Sequence, residues 1–239
     1  TKYLFNLSLM FAFVFYTGIE TCGLWKSAVL FLLYMLPVGA FAYFFNDISD
    51  VEVDRKAGKS HESQKIQPGK RKYILISLLL LASTPVFFMG EKACYYLILL
   101  ALQVLLIFLY SFRLIRMKNS YAGVFLDTLY SFVLPGLISI LMISPRAGGF
   151  VLPVFGVFVM WLFFLGLRGI FDHQKRDYEA DKSSGQKTFV IRAGRHKTEI
   201  LKRICLGIEL ILLIYLIYKL PQNVGYGILI ALGVFIVFE

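Results

Sequence analysis

Charge is scarce in this sequence: Asp, Glu, Lys and Arg make up 17% of its 239 residues against 58% hydrophobic ones, and the mean hydropathy is +0.71. Ordinary soluble domains carry about 25% charged residues, so the composition excludes that class and indicates a membrane protein. Cysteine is scarce too. Cys22, Cys94 and Cys205 are isolated, with no CxxC pair and no metal-ligand spacing, which excludes a disulfide scaffold or a zinc site and leaves three packing residues. No polar stretch is long enough to form a separate soluble domain. No basic leader or small-residue cleavage site accompanies the first apolar run, and Glu20 follows it directly, so it reads as a span and not as a signal peptide.

What is present is a series of apolar runs close to the roughly 20 residues needed to cross a bilayer. Eight are expected, near residues 3–19, 28–45, 73–90, 93–112, 122–144, 150–167, 204–218 and 224–238. In lipid a helix satisfies its own backbone hydrogen bonds, so the expected fold is all-α, a polytopic transmembrane helical bundle forming a single domain over residues 1–239. The connections after the second, fourth and sixth runs carry nineteen of the 25 Lys and Arg residues, and the alternate connections carry Lys26, Lys92, Arg146 and Lys219. The positive-inside rule places the rich loops, and with them both ends of this chain, in the cytoplasm. The net charge of +10 is thereby accounted for by topology, and nothing beyond it suggests a nucleic-acid partner.

The two longest polar stretches, residues 47–72 and 172–203, follow the second and sixth runs and resemble one another: NDISDVEVDRKAGK against HQKRDYEADKSSGQK. Loops four helices apart with matching residues suggest two pseudo-repeated four-helix units whose corresponding side chains meet at one mouth. In register, Asn46, Asp50 and Asp54 correspond to His173, Asp177 and Asp181. Residues four apart share a helix face, so each set forms a stripe if its helix continues past the membrane interface. Carboxylates at that spacing repel. A counter-charge must be supplied.

A divalent cation is the first candidate. Oxygen-only ligands, with two or more carboxylates in each loop and an Asn amide in the first, suit Mg²⁺, which keeps positions for water and phosphate oxygens. Arg55, Lys56, Lys59, Lys65, Lys182 and Lys187 are in the same loops and are expected to hold outer phosphate oxygens. Acids for a metal and bases for phosphate, at the mouth of a lipid-facing bundle, read as a site for a lipid diphosphate.

NDISDVEVD fits the NDxxDxxxD motif of the UbiA superfamily of intramembrane prenyltransferases without a mismatch, and DYEADKSSGQKT resembles its second motif. The resemblance spans essentially the whole chain. It implies transfer of a prenyl group from an isoprenyl diphosphate to an acceptor, an aromatic ring or a hydroxyl, with Mg²⁺ as cofactor. It also implies that Asn46, Asp50, Asp177 and Asp181 carry the metal and diphosphate contacts, with Asp47 a further metal ligand and Asp54 in support. The family usually has nine helices, so one more C-terminal helix is expected than the eight counted. Its Arg-Pro pair after the first motif is not matched in SHESQKIQPGK, where Pro68-Gly69 remains and Lys65 stands in for the arginine. Quinone-ring precursors, a glycerol-phosphate lipid, a phosphorylated sugar and a tetrapyrrole all remain open as acceptors.

Asp127, about two turns into the fifth run, and Arg168, at the cytoplasmic end of the sixth, are expected to pair with each other; the functional alternative is that Arg168 meets the diphosphate or Asp127 the acceptor. Asp172, four residues after Arg168, is expected to form an i,i+4 ion pair with it, while His173 shares the stripe of Asp177 and Asp181 and is expected to bind diphosphate. Pro37, Pro85 and Pro135-Gly136 are expected to kink their helices. A rival function is a membrane transporter binding a cation with helix-end carboxylates, although that predicts charges near the bilayer midplane. A CDP-alcohol phosphotransferase, also a Mg²⁺ membrane enzyme, needs a DG…AR…G…D…D pattern that is absent.

Overall fold

A computed structural model describes residues 24–56, 58, 62–143 and 152–219. All regular structure among these residues is helical. Helix α1 (Leu24–Ser49) is followed by the short α2 (Val51–Lys56) and α3 (Glu62–Lys65). Next come α4 (Pro68–Ser83), α5 (Ala93–Ser111), α6 (Gly123–Thr128) and α7 (Leu134–Ile143). The second half holds α8 (Leu152–Arg176), the short α9 (Tyr178–Ser183) and α10 (Phe189–Ala193), and α11 (Arg195–Tyr218).

Five stretches, Trp25–Ser49, Pro68–Phe88, Gly90–Ser111, Gly123–Met142 and Val154–Arg176, are long and apolar enough to cross a bilayer. They match the second to sixth expected runs. Expected run seven lies within α11, which begins earlier, at Arg195; the first run, the eighth run and Cys22 lie outside the described residues. Large apolar side chains such as Trp25, Leu36, Phe87, Ile98 and Ile211 point outward, as expected where the solvent is lipid. Inside, Phe31, Tyr34 and Val38 of α1 pack with Tyr96, Ile107 and Ile138. A second core joins Trp161, Leu162 and Leu165 of α8 to Leu213 of α11.

The prolines act in different ways. Pro37 lies inside α1, whereas Pro85 ends α4 and starts a 3₁₀ turn over Thr84–Phe88. Pro135 follows a π-helical turn at Leu129–Val133. Its ring nitrogen has no hydrogen to offer the carbonyl of Ser131, and the helix widens there. Gly136 then allows α7 to approach α8, since a Cβ at that position would come within 2.4 Å of Leu162 Cδ1.

The two polar helix ends repeat one another in backbone detail. Asp50 N donates to Asn46 O at 3.0 Å and Asp54 N to Asp50 O at 2.9 Å, while Asp177 N donates to His173 O at 3.1 Å and Asp181 N to Asp177 O at 2.9 Å. The i→i−4 pattern therefore runs through both stripes despite a change of helix at Asp50 and Asp177. Each then closes on a left-handed glycine: Gly58 (φ 68°) donates to Arg55 O and Gly185 (φ 75°) to Lys182 O, both at 3.2 Å. Only glycine adopts that conformation at little cost.

Candidate active site

Both stripes open on one cavity of about 360 Å³, whose wall includes Asn46, Asp47, Asp50 and Asp54 from the first repeat and His173, Asp177 and Asp181 from the second. The expected register thus becomes a shared mouth. Below the mouth the wall becomes apolar and aromatic, with Met35, Val38, Ile107, Tyr110 and Tyr130.

On the first side, Asp50 is buried and already holds two cations. Arg116 Nη2 donates to its Oδ1 at 2.7 Å, and Lys118 Nζ donates to its Oδ2. Lys118 Nζ also reaches Asn46 Oδ1 at 3.3 Å, which in turn accepts from Ser111 Oγ at 3.1 Å. Asp47 accepts from Ser63 Oγ at 2.8 Å. Burial pulls the Lys118 ammonium below the usual lysine range, and Asp50 opposes that pull. The segment carrying both cations is tightly built. Arg116 has a positive φ of 41°, a conformation that non-glycine residues seldom adopt. Gly123 lies so close beneath Lys118 that a Cβ would come within 2.8 Å of the Lys118 Cα.

The second side is more open. Asp177 is 41% exposed at its side chain and, among the described residues, its charged neighbour is the His173 Nδ1 at 3.8 Å, beyond hydrogen-bond range. Asp181 is buried and accepts from Gln186 Nε2 at 3.3 Å. Gln174 Oε1 accepts from Val190 N at 3.4 Å, which ties α10 to α8. Thr188, on the cavity wall, has a buried hydroxyl oxygen with no partner among the described residues.

Several expected phosphate binders lie elsewhere. Arg55, Lys65, Lys182 and Lys187 are exposed and outside the cavity lining, Lys65 being paired with Glu62 and Lys182 lying over the Tyr178 ring at 5.9 Å. The Lys56 side chain and all of Lys59 lie outside the described residues. Long, well-hydrated lysines on a loop have no reason to turn inward when another cation already occupies the wall. That cation is Lys118, which sequence reasoning treated only as a topological charge.

The expected pairing of Arg168 with Asp127 does not occur. Arg168 is buried against α11, where its Nε donates to Glu209 Oε2 at 2.8 Å and its Nη2 to Oε1 at 3.3 Å. Nor does Asp172 pair with Arg168; it accepts Lys202 at 2.8 Å. The two residues share one face of α8, and α11 presents a partner of opposite charge to each. A fully buried carboxylate across the interface offers Arg168 a bidentate, desolvated partner that an i,i+4 neighbour cannot match. Glu209 itself, in an otherwise apolar run, was the overlooked signal. Asp127 lines the cavity together with Tyr110 and Tyr130, and accepts from Ser131 Oγ at 2.6 Å.

The sequence profile of the UbiA prenyltransferase family matches residues 24–239. The chain belongs to that family. It is 30% identical over 225 residues to the digeranylgeranylglyceryl phosphate synthase of Sulfolobus acidocaldarius, covering 92% of this chain and 76% of the relative. Its fold matches that of a UbiA homolog from Archaeoglobus fulgidus bound to DMAPP and Mg²⁺ with a TM-score of 0.75, at 21% identity, over 100% of this chain and 84% of the other. A structure of a UbiA homolog from the same organism bound to GPP and Mg²⁺ aligns with a TM-score of 0.61, again at 21% identity, over 100% of this chain and 96% of the other. Prenyltransferase membership agrees with acids gathered at one mouth rather than at the midplane, as a transporter would require. This UbiA protein is an all-helical membrane prenyltransferase.

Proposed function

We propose that this chain uses Mg²⁺ to transfer a prenyl group from an isoprenyl diphosphate to an acceptor inside the membrane, with the diphosphate entering from the cytoplasmic face. The observation that carries the proposal is the convergence of two acid stripes, distant in sequence, on one cavity. The donor set fits the metal. Six aspartates and Asn46 line the cavity, and such oxygen donors suit a hard cation that completes its shell with water and phosphate oxygens. The unpartnered Thr188 hydroxyl on the same wall is a ready donor for such an oxygen.

Asn46, Asp47 and Asp50 from one side and Asp177 and Asp181 from the other would hold Mg²⁺, with Asp54 in support. Bound there, the ion would neutralise charge growing on the leaving diphosphate. Lys118 donates to a diphosphate oxygen on the first side, with His173 a weaker contact on the second. On the same wall, the Tyr110 and Tyr130 rings, 5.5 Å apart and edge to face, present π-electron density to an allylic cation. The apolar wall of Met35, Val38 and Ile107 receives the prenyl tail and keeps water from that cation.

Incubating the purified chain with Mg²⁺, labelled prenyl diphosphates of several lengths and an acceptor panel tests the proposal. Product formation that disappears with a chelator is expected; no transfer with any pair overturns it. Cysteines introduced near Lys65 and Lys187 are expected to label from the cytoplasmic side and one near Lys92 from the opposite side. Labelling of the first two from different sides would refute the assigned orientation.

A further inference from the structure

We infer that Arg192 is a positioning residue for the transfer site: it clasps the segment that carries Lys118 to the segment that carries Thr188 and so fixes both donors around the diphosphate. The inference rests on the transferase reading and deepens it, since that reading places the Lys118 ammonium and the Thr188 hydroxyl on phosphate oxygens.

Arg192 Nε donates to Asn119 O at 3.0 Å and to Lys187 O at 2.9 Å. Asn119 is the residue after Lys118, and Lys187 is the residue before Thr188; Lys118 and Thr188 both line the cavity. Arg192 itself is exposed and outside the cavity lining, so it acts through its two neighbours and not on the substrate. Lys118 lies in a 3₁₀ turn over Met117–Asn119, closed by Ser120 N donating to Met117 O at 2.9 Å. A displacement of Asn119 therefore carries Lys118 with it.

The surrounding contacts serve the same junction. Phe189 and Arg192, three residues apart in α10, share a helix face, and both meet Tyr121. The Phe189 ring is edge to face with Tyr121 at 5.5 Å, and the Arg192 guanidinium lies 5.8 Å from the centre of the same ring. Phe189 also packs against Phe171 of α8 at 5.2 Å, and Val190 N donates to Gln174 Oε1 at 3.4 Å. With five residues, α10 is too short to be stable as an isolated helix, so these contacts hold it in place. It is anchored on the helix that carries the second stripe while Arg192 reaches the segment facing the first.

Arginine suits this role. Its planar guanidinium is preorganised, so two carbonyls that share its Nε–H are held at a defined separation. An exposed arginine contributes little to the stability of a bundle, and its effect is expected on the geometry of the mouth.

The test is equilibrium binding of inorganic diphosphate and of geranyl diphosphate, at fixed Mg²⁺, to the full chain in lipid nanodiscs. Arg192→Met is expected to weaken both by about tenfold, as for loss of two hydrogen bonds of ordinary net strength. Arg192→Lys, whose ammonium has donors for both carbonyls, is expected to stay within about threefold of the wild type. Combined with Lys118→Met, or separately with Thr188→Val, Arg192→Met is expected to cost only about threefold, because one of the two groups it positions is already gone. Should Arg192→Met fail to fold, Arg192→Gln, with a shorter polar side chain, gives the same comparison. A loss that is equal in all three backgrounds means that Arg192 acts through its charge or through folding in general, and overturns the clasp. Binding by Arg192→Lys as weak as that of Arg192→Met does the same. Mg²⁺-dependent binding in the wild type with no loss in Arg192→Met overturns this inference alone, whereas absence of Mg²⁺-dependent binding in the wild type overturns the transferase reading.

Discussion

Asp50 and Asp177 occupy the same place in two repeated helix ends, with the same backbone hydrogen bonds on either side, but their surroundings differ. Asp50 is buried beneath Lys118 and Arg116, while Asp177 is partly open and faces His173 from 3.8 Å. The difference shows that two alike helix ends can present unlike charge environments to one cavity. The first stripe pairs its central carboxylate with the protein's own cations, which brings Lys118 to the cavity wall and leaves the carboxylate's remaining lone pairs for a metal. The second leaves its central carboxylate accessible to an incoming ion. Symmetry of backbone need not mean symmetry of charge, because each loop meets a different neighbour.

The largest effect that would test this division is on catalysis and stability together. Asp50→Ala and Asp177→Ala are each expected to lower transfer by about 10³-fold, since each removes a carboxylate proposed to hold the metal on one side of the mouth. Only Asp50→Ala is expected to destabilise strongly, by about 3 kcal/mol, because it strands two cations at a buried site. Thermal unfolding of the two variants without Mg²⁺ checks this. Equal melting points would mean that the ion pairs at Asp50 contribute nothing the second stripe lacks.

A smaller effect isolates the cation. Lys118→Met is expected to weaken isoprenyl diphosphate binding by about tenfold to 100-fold, as for loss of one charge-assisted hydrogen bond, whereas Lys182→Met and Lys187→Met stay within about threefold. Equilibrium binding with Mg²⁺ held fixed reads the contrast, and a deeper loss at Lys182 would move the phosphate clamp to the second loop. His173→Ala, on the open side, is expected to cost about threefold in the same assay, since an exposed side chain interacts through solvent. The smallest effect belongs to Asp172→Asn. It breaks the partly exposed pair with Lys202 and is expected to cost about 0.5–1 kcal/mol of stability with Mg²⁺ dependence unchanged. A catalytic defect as deep as that of Asp177→Ala would mean that Asp172, too, acts at the mouth.

Much of the site was legible because helical period is a local property. The spacing of Asn46, Asp50 and Asp54, and of His173, Asp177 and Asp181, is enough to place each set on one face, and the structure places both on one cavity. The basic residues were less legible. Charge density in a loop says nothing about which long side chain turns inward, and Lys118 does so only because Asp50 and Asn46 stand opposite a turn held by Arg116 and Gly123. Glu209 illustrates the same gap. Its presence in an apolar helix signals a partner, but only the packing of α11 on α8 selects Arg168 over a residue nearer in sequence.

The sequence by itself determined the membrane class, the helical architecture, the repeated acid motifs and their register, since hydropathy and periodicity act within a single segment and need no neighbour. Tertiary structure alone decided which cation meets Asp50, that Arg168 and Asp172 both turn to α11, and that Asp127 lines the same cavity as the acid stripes. Those outcomes depend on burial, and burial is set by which helices face one another. In a low-dielectric interior an ionisable side chain takes whichever partner can desolvate with it, and that partner is identified by its position in space rather than by its distance along the chain.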